Sequence, residues 1–424
     1  AAAVSALGEA NYTVTANVTD SVGNSASASH SVLVDSSLPV VTIDTLAGDN
    51  IVNAAEVAAG QTLTGKVANA ASGDTVTIIL GGQTYTTTVQ DDLTWSLPLS
   101  ESQLTALGNG DLTVSASVTN AHGNTGSSSL DFTIDAELPG LRIDTVAGDD
   151  VINIIEHGQN LIVSGTSTDL AAGSTVTVTI NGNTYSATVL ADGSWQAAVP
   201  AADVSQWADG PLDIKASAQD ISGNPVTIGT VVDVDLAPVA VSINSVTDDN
   251  VLNAAEKGQD LVLSGTTSNV EAGQTVTITF AGKTYTTTVD GNGDWTWTVP
   301  AADLSGLKDG DARVQVNVTN VNGNGASSVQ EFSVDTAAPT VTINTISGDN
   351  MLNAAEAAQD LTLSGTSTAE PGQTVTVTFN GNQYTAQVQA DGTWTLDVPA
   401  ADMAGITDGS AAVTASVSDK AGNP

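Results

Sequence analysis

The chain has 424 residues, with 47 Asp and Glu against 8 Lys and Arg, a formal net charge of −39 and no cysteine. That balance excludes a nucleic-acid partner, which needs clustered Lys and Arg, and an anionic membrane surface. The missing cysteines exclude disulfides and thiolate metal sites, and no apolar run approaches the roughly 18 residues of a spanning helix, so no membrane insertion is expected. Length alone predicts two to four domains at roughly 100–200 residues each. High charge with few aromatics also fits disorder, but 41% hydrophobic content and a strong period of two argue against it. The start, Ala1-Ala2-Ala3-Val4, has no charged leader and is not read as a signal peptide.

In chain order, residues 1–38 match 101–138 and read as the C-terminal part of one copy of a repeat. Pro39, Pro139, Pro238 and Pro339 then open four nearly identical segments that run to Glu56, Glu156, Glu256 and Glu356. A period near 100 residues is too long for a solenoid unit and fits a tandem array of whole domains. The expected organisation is three complete copies, 39–138, 139–237 and 238–338. They are flanked by 1–38 and by 339–424, which stops before its last strand.

Inside each copy, Thr175–Ile180 and Thr275–Phe280 alternate β-branched polar with apolar residues, as a strand with one buried face does. Asn-Gly turns follow, then a strand with a recurrent Tyr (Tyr85, Tyr185, Tyr285, Tyr384). Next come an Asp-Gly-type turn and a strand with a recurrent Trp (Trp95, Trp195, Trp295, Trp394). One helical turn and two final strands complete about seven short strands per copy. The fold class is all-β: tandem immunoglobulin-like β-sandwich domains in an elongated rod. The recurrent Trp and Tyr read as core. Trp207 and Trp297 break the pattern and are expected to be partly exposed, the feature a glycan-binding module would use.

Certain acidic and amide positions recur in every copy. The loop after the first strand carries Asp49, Asp149, Asp249 and Asp349, followed by Asn53, Asn153, Asn253 and Asn353 and by Glu56, Glu156, Glu256 and Glu356. The last strand ends in Asp35, Asp135, Asp235 or Asp335. The loop before it begins Asp20, Asn120, Asp220, Asn320 or Asp419 and ends in Gly-Asn. The loop after the helical turn adds Asp209, Asp309 and Asp408, with Asn109 in the second register. In an up-and-down order of seven strands, Asp149, Glu156, Asp209 and Asp235 would face Asn320 or Asn324 of the next copy. Four carboxylates with no basic partner repel unless a cation sits among them. Hard oxygen donors in loose geometry suit Ca²⁺, with Mg²⁺ second; three scattered His serve zinc poorly. The competing reading is structural: Asp and Asn form turns, and Asn53 could cap a helical turn. Asp44 and Asp144 become Asn244 and Asn344, which leaves a second site or an exposed strand position open.

Asp290–Asp294 opens like an EF-hand loop but lacks its Gly and final Glu, so it reads as a hairpin turn. No P-loop, G-x-S-x-G or recurrent His constellation supports catalysis, and no enzyme is expected.

These segments together resemble the bacterial Ig-like repeats of giant type I-secreted adhesins, the SiiE and BapA type of biofilm-associated protein. The resemblance covers essentially the whole chain. It implies an extracellular rod on the bacterial surface with Ca²⁺ at or near the junctions, and adhesion to host cells or within a biofilm matrix through the full-length protein. It places Asp49, Glu56, Asp149, Glu156, Asp249, Glu256, Asp349 and Glu356 at the repeat's acidic positions. A monomeric rod is the expected state.

Overall fold

The computed structural model describes residues 7–424. It comprises two compact units: Ala1–Val151 with Glu156–Val234, and Ile152–Ile155 with Asp235–Pro424.

The first unit begins with an antiparallel hairpin, β1 (Ala10–Thr19) and β2 (Ser25–Val34). The next strands are β3 (Val40–Val41), β4 (Ile51–Asn53), β5 (Gln61–Ala68), β6 (Thr75–Leu80), β7 (Gln83–Thr88), β8 (Thr94–Leu99), β9 (Gly110–Thr119) and β10 (Thr125–Asp135). They form a three-stranded sheet, β3-β5-β8, and a five-stranded sheet, β4-β10-β9-β6-β7. The buried face alternates along β6, where Val76, Ile78 and Leu80 point inward. Trp95 is fully buried, and its indole N–H donates to the Thr42 carbonyl at 3.2 Å. The recurrent Trp is therefore core, as the sequence suggests.

The strand order is not up-and-down. The first strand is split: β3 pairs antiparallel with β5, whereas β4 pairs parallel with β10 in the other sheet. The cause is a local turn between them. Ala47, Gly48 and Asn50 all have positive φ, a region open to Gly and tolerated by Asn. Asn50 Oδ1 accepts from Leu46 N–H (2.9 Å), and Asp49 Oδ1 accepts from Ile51 N–H (2.9 Å). The same Asp-to-i+2 bond closes the turn at Asp149, Asp249 and Asp349. The Gly-Asp-Asn signal is thus a sheet switch within the first strand. The loop that reaches the end of the sandwich comes after it, at helix α1 (Ala54–Ala59).

The rest of the first unit repeats this plan. Gly140–Ile143, Leu161–Thr168 and Ser194–Val199 form one sheet. Thr175–Ile180 lies between Asn183–Thr188 and Gly210–Gln219, and Gly210–Gln219 pairs with Pro225–Asp235. Trp207 is not partly exposed, as its irregular position suggests. It is 3% exposed, and its carbonyl bonds His157 Nε2 at 3.0 Å. That bond ties the loop of Glu156–Gly158 to the backbone at Trp207.

In the second unit, Ala240–Val241, Leu261–Ser268 and Asp294–Val299 pair in order. Val251–Leu252 runs parallel to Gly325–Val334, which is followed across the sheet by Gly310–Thr319, Thr275–Phe280 and Lys283–Thr288. Its core gathers Val276, Ile278, Phe280, Trp295, Val314 and Phe332. Leu361–Thr366 with Thr393–Val398, and Thr374–Phe379 between Asn382–Gln387 and Val413–Val417, surround a further core around Trp394. Asp290 Oδ1 accepts from the N–H groups of Asn292 and Asp294, so this segment is a hairpin turn.

Candidate functional site at the repeat junctions

Each junction is built from three pieces. The first is the end of the last strand, at Asp35, Asp135, Asp235 or Asp335. Oδ1 of each accepts the N–H two residues on (Ser37, Glu137, Ala237, Ala337), which turns the chain toward the next proline. The second is the Asn-to-Glu segment after the first strand. Asn53 Oδ1 accepts from Glu56 N–H while Glu56 Oε2 accepts from Asn53 N–H, a capping box that opens α1. Asn253 with Glu256 and Asn353 with Glu356 repeat it. Asn153 accepts from Ile155 N–H, and Glu156 opens a short 3₁₀ turn. Capping is one sufficient reason for the Asn and Glu positions to recur.

The third piece is the Gly-Asn loop of the following copy. Its first residue organises it: Asp220 Oδ1 accepts from Ser222 and Asn224 N–H, and Oδ2 from Asn224 Nδ2. Asn320 Oδ1 accepts the same two N–H groups, from Asn322 and Asn324, so Asp and Asn interchange there. The middle of the loop reaches back across the junction. Ser222 Oγ donates to Asp135 Oδ2 at 2.7 Å, and Asn322 and Asn320 Nδ2 donate to Asp235 Oδ2 at 2.7 and 3.3 Å. His122 Nε2 lies 3.7 Å from Asp35 Oδ2. Burial pushes the Asp235 carboxyl up, but the bonds from Asn322, Ala237 and Asn320 outweigh it and hold the group below its ordinary value.

The loop's last residue spans both neighbours. Asn224 Nδ2 donates to the Asp135 carbonyl (2.9 Å) and its Oδ1 accepts from Ala54 N–H (2.8 Å). Asn324 does the same with Asp235 (3.0 Å) and Ile154 (2.8 Å), and Asn423 with Asp335 (2.9 Å) and Ala254 (2.8 Å). The Asn324 amide oxygen expected to face a cation is therefore turned to a backbone N–H. The sequence signal for this role was present: Gly-Asn is the same in all five loops, while the loop's first position alternates between Asp and Asn.

The remaining expected ligands lie apart from this contact. Asp49 lines a hollow with Asp111 and Asp131 at the sheet edge. Asp309 Oδ1 accepts from Thr336 N–H and Oγ1, and Asn109 from Ala136 N–H, which fastens the post-helix loop to the strand end. Asp209 holds the matching place in its copy. Asp44 and Asp144 accept from Thr64 and Ser164, and Asn244 and Asn344 bond Ser264 and Ser364. A hydroxyl partner can donate or accept, so either side chain serves.

The donor chemistry around the strand end fits a hard divalent cation. Asp135, Glu137, Asp169 and Asp220 line one hollow of about 320 Å³ with no Lys or Arg in its walls. The spacing is looser than in a formed site. Among the described residues, no group of three or more His, Asp or Glu side chains converges as ligands of a metal.

The sequence profile of the bacterial Ig-like domain matches residues 337–424. Similarity to solved structures extends much further. A Ca²⁺-stabilized adhesin with which an Antarctic bacterium reaches out and binds ice is 34% identical. The match covers 91% of this chain and 99% of that one, at a TM-score of 0.37. The chain belongs to the bacterial Ig-like repeats of large adhesins. A 1.5-MDa bacterial ice-binding adhesin, studied for host cell surface retention, is 33% identical over 72% of this chain and 100% of the other (TM-score 0.39). A tetra-tandem repeat from the extending region of a large adhesion protein is 30% identical over 91% and 96% (TM-score 0.36). Kinship rests on identity sustained along the chain and on the family profile, not on superposition at these TM-scores. No curated protein matches. Among the described residues, no helix of these Ig-like repeats is long and apolar enough to cross a membrane.

Proposed function

We propose that the segment is the stalk of a bacterial surface adhesin: a monomeric series of Ig-like domains, 39–138, 139–237, 238–338 and 339–424, preceded by the end of another. It is secreted, works outside the cell, catalyses nothing, and presents a distal adhesive part to a host surface or biofilm. Ca²⁺ at the junctions stiffens it. The observation that carries this reading is identity of 34% over nearly the whole length of a Ca²⁺-stabilized adhesin. The hollow to which Asp135, Glu137, Asp169 and Asp220 bring carboxylates, with no Lys or Arg in its walls, supports it.

The residues that would hold or steer the ion are the strand-end carboxylates Asp35, Asp135, Asp235 and Asp335, helped by Asp220. The recurring Asp49, Asp149, Asp249, Asp349, Asn53, Asn153, Asn253, Glu56, Glu156, Glu256, Glu356, Asp209 and Asp309 form a wider acidic surround. When bound, the cation neutralises repulsion across the junction. Extracellular modules of this kind bind Ca²⁺ at roughly 10⁻⁴–10⁻³ M, so the stalk would stiffen only outside the cell. An alternative module that itself binds glycan is not favoured, because Trp207 is buried and Trp297 packs on Tyr285 with ring centroids 5.8 Å apart. Small-angle scattering of the chain in millimolar Ca²⁺ and in EDTA tests the proposal. A looser chain in EDTA is expected, and identical profiles would sink the stiffening role.

A further inference from the structure

The asparagine that closes the Gly-Asn loops ending at Asn224, Asn324 and Asn423 is buried between two copies, and its bonds need no metal. Asn224 is 0% exposed, and Asn324 and Asn423 are each 1% exposed. A primary amide carries two donors and an acceptor oxygen. At Asn224 the oxygen takes Ala54 N–H, and the nitrogen serves the Asp135 carbonyl and Asp220 Oδ2. The orientation is enforced, because a flipped amide would set N–H against N–H at Ala54 and oxygen against oxygen at Asp135.

We propose that this asparagine is a latch that fixes the direction of each repeat on the one before it, independently of any bound cation. The geometry supplies two anchor points on the preceding copy: a carbonyl at the end of its last strand and an N–H just after its first. Both are gripped by one side chain whose own loop is held by its first residue. Losing the latch would leave a buried carbonyl and N–H without partners, which is costly. The glycine before it completes the fit. Gly223 and Gly323 have positive φ, and a Cβ there would lie 3.4 Å from Asn53 Nδ2 and 2.9 Å from Asn153 Nδ2. Asn253 Nδ2 donates in return to the Ala421 carbonyl at 3.0 Å. Asn124 makes the same strand-end bond, to the Asp35 carbonyl (3.0 Å).

The absence of cysteine makes the test clean. Ile79→Cys and Leu190→Cys, at positions 50% and 54% exposed in consecutive copies, carry spin labels whose separation reports the junction. In EDTA the otherwise wild-type chain, looser than in Ca²⁺, still keeps a narrower distance distribution than the latch variants. Asn224→Ala broadens it while the melting temperature of the sandwiches stays in place. Asn224→Asp keeps the size and the oxygen for Ala54 but sets its second oxygen against the Asp135 carbonyl, so it broadens the distribution too and covers the case of a misfolded alanine variant. Amide exchange at Ala54 in the wild type is protected in EDTA and accelerates roughly tenfold in either variant. The latch is overturned if the wild type in EDTA is already as broad as the variants, if the variants match it, or if Ala54 exchanges freely in the folded wild type. Adding Ca²⁺ to the wild type tests the calcium reading alone, so the two can fail separately.

Discussion

Single residues carry more of this fold than their chemistry advertises. Gly65 faces Trp95 so closely that a Cβ would lie 1.9 Å from the Thr42 carbonyl oxygen and 2.6 Å from the indole nitrogen. Gly165, Gly265 and Gly365 repeat the approach, at 1.8, 1.9 and 1.8 Å from the carbonyls of Arg142, Ser242 and Thr342. A missing side chain is thus what lets the recurrent Trp lie under the first strand. Because backbone cannot yield as a flexible side chain can, Gly65→Ala should destabilise its sandwich by about 3 kcal/mol or more. Urea unfolding checks this: a midpoint that does not move would mean that the strand slides aside. The same scale shows why Asp44 and Asn244 exchange freely while Asn224 does not. The first pair meets a hydroxyl, whereas Asn224 meets an N–H and a carbonyl together.

Between elements, one recurrent tie joins the Tyr strand to the short helix. Tyr185, Tyr285 and Tyr384 donate to Asp203, Asp303 and Asp402 at 2.9, 2.8 and 3.0 Å. The first complete copy differs: Gln103 occupies that helix position and completes a capping box with Ser100. Burial, and then the Asp303 carboxylate, push the Tyr285 hydroxyl up to about 12. The unfolded chain loses that proton near 10. The contribution is therefore complete below about pH 10 and is lost as pH rises toward 12. Stability followed from pH 9 to 12 should fall steeply in the wild type and less so in Tyr285→Phe. Parallel curves would show that the tie does not couple to folding.

At the scale of the whole molecule, 47 carboxylates against 8 basic residues make self-repulsion unavoidable. Salt and calcium relieve it differently. At 1 M salt the Debye length is about 3 Å, so diffuse repulsion is screened. If Ca²⁺ acts as proposed, at the strand-end carboxylates, then millimolar Ca²⁺ should raise the melting temperature in 1 M NaCl as well as in dilute buffer. A calcium shift that vanishes in 1 M NaCl would mean screening and no bound ion.

Much of the architecture was legible beforehand. The alternation of Thr175–Ile180, the Asn-Gly turns and the buried Trp95, Trp195, Trp295 and Trp394 are local or periodic features. They follow from side-chain size and backbone preference over a few residues. The burial of Trp207 was not legible, because no neighbouring residue in the chain records it; even the loop tied to its carbonyl, at His157, lies 50 residues away. The up-and-down order failed for a related reason. The positive φ values at Gly48 and Asn50 mark a turn, but only the pairing of β4 with β10 shows that the strand changes sheets there.

What the sequence by itself determined was the period, the strands, the turns and the recurrence of Asp, Asn and Gly-Asn, because each is written in neighbouring residues or repeats at fixed spacing. Tertiary structure alone decided what those recurring residues touch. Asn224 reads locally as a turn former. It becomes a bridge because folding brings to it a carbonyl 89 residues away and an N–H 170 residues away, and a hydrogen bond depends on the partner that arrives.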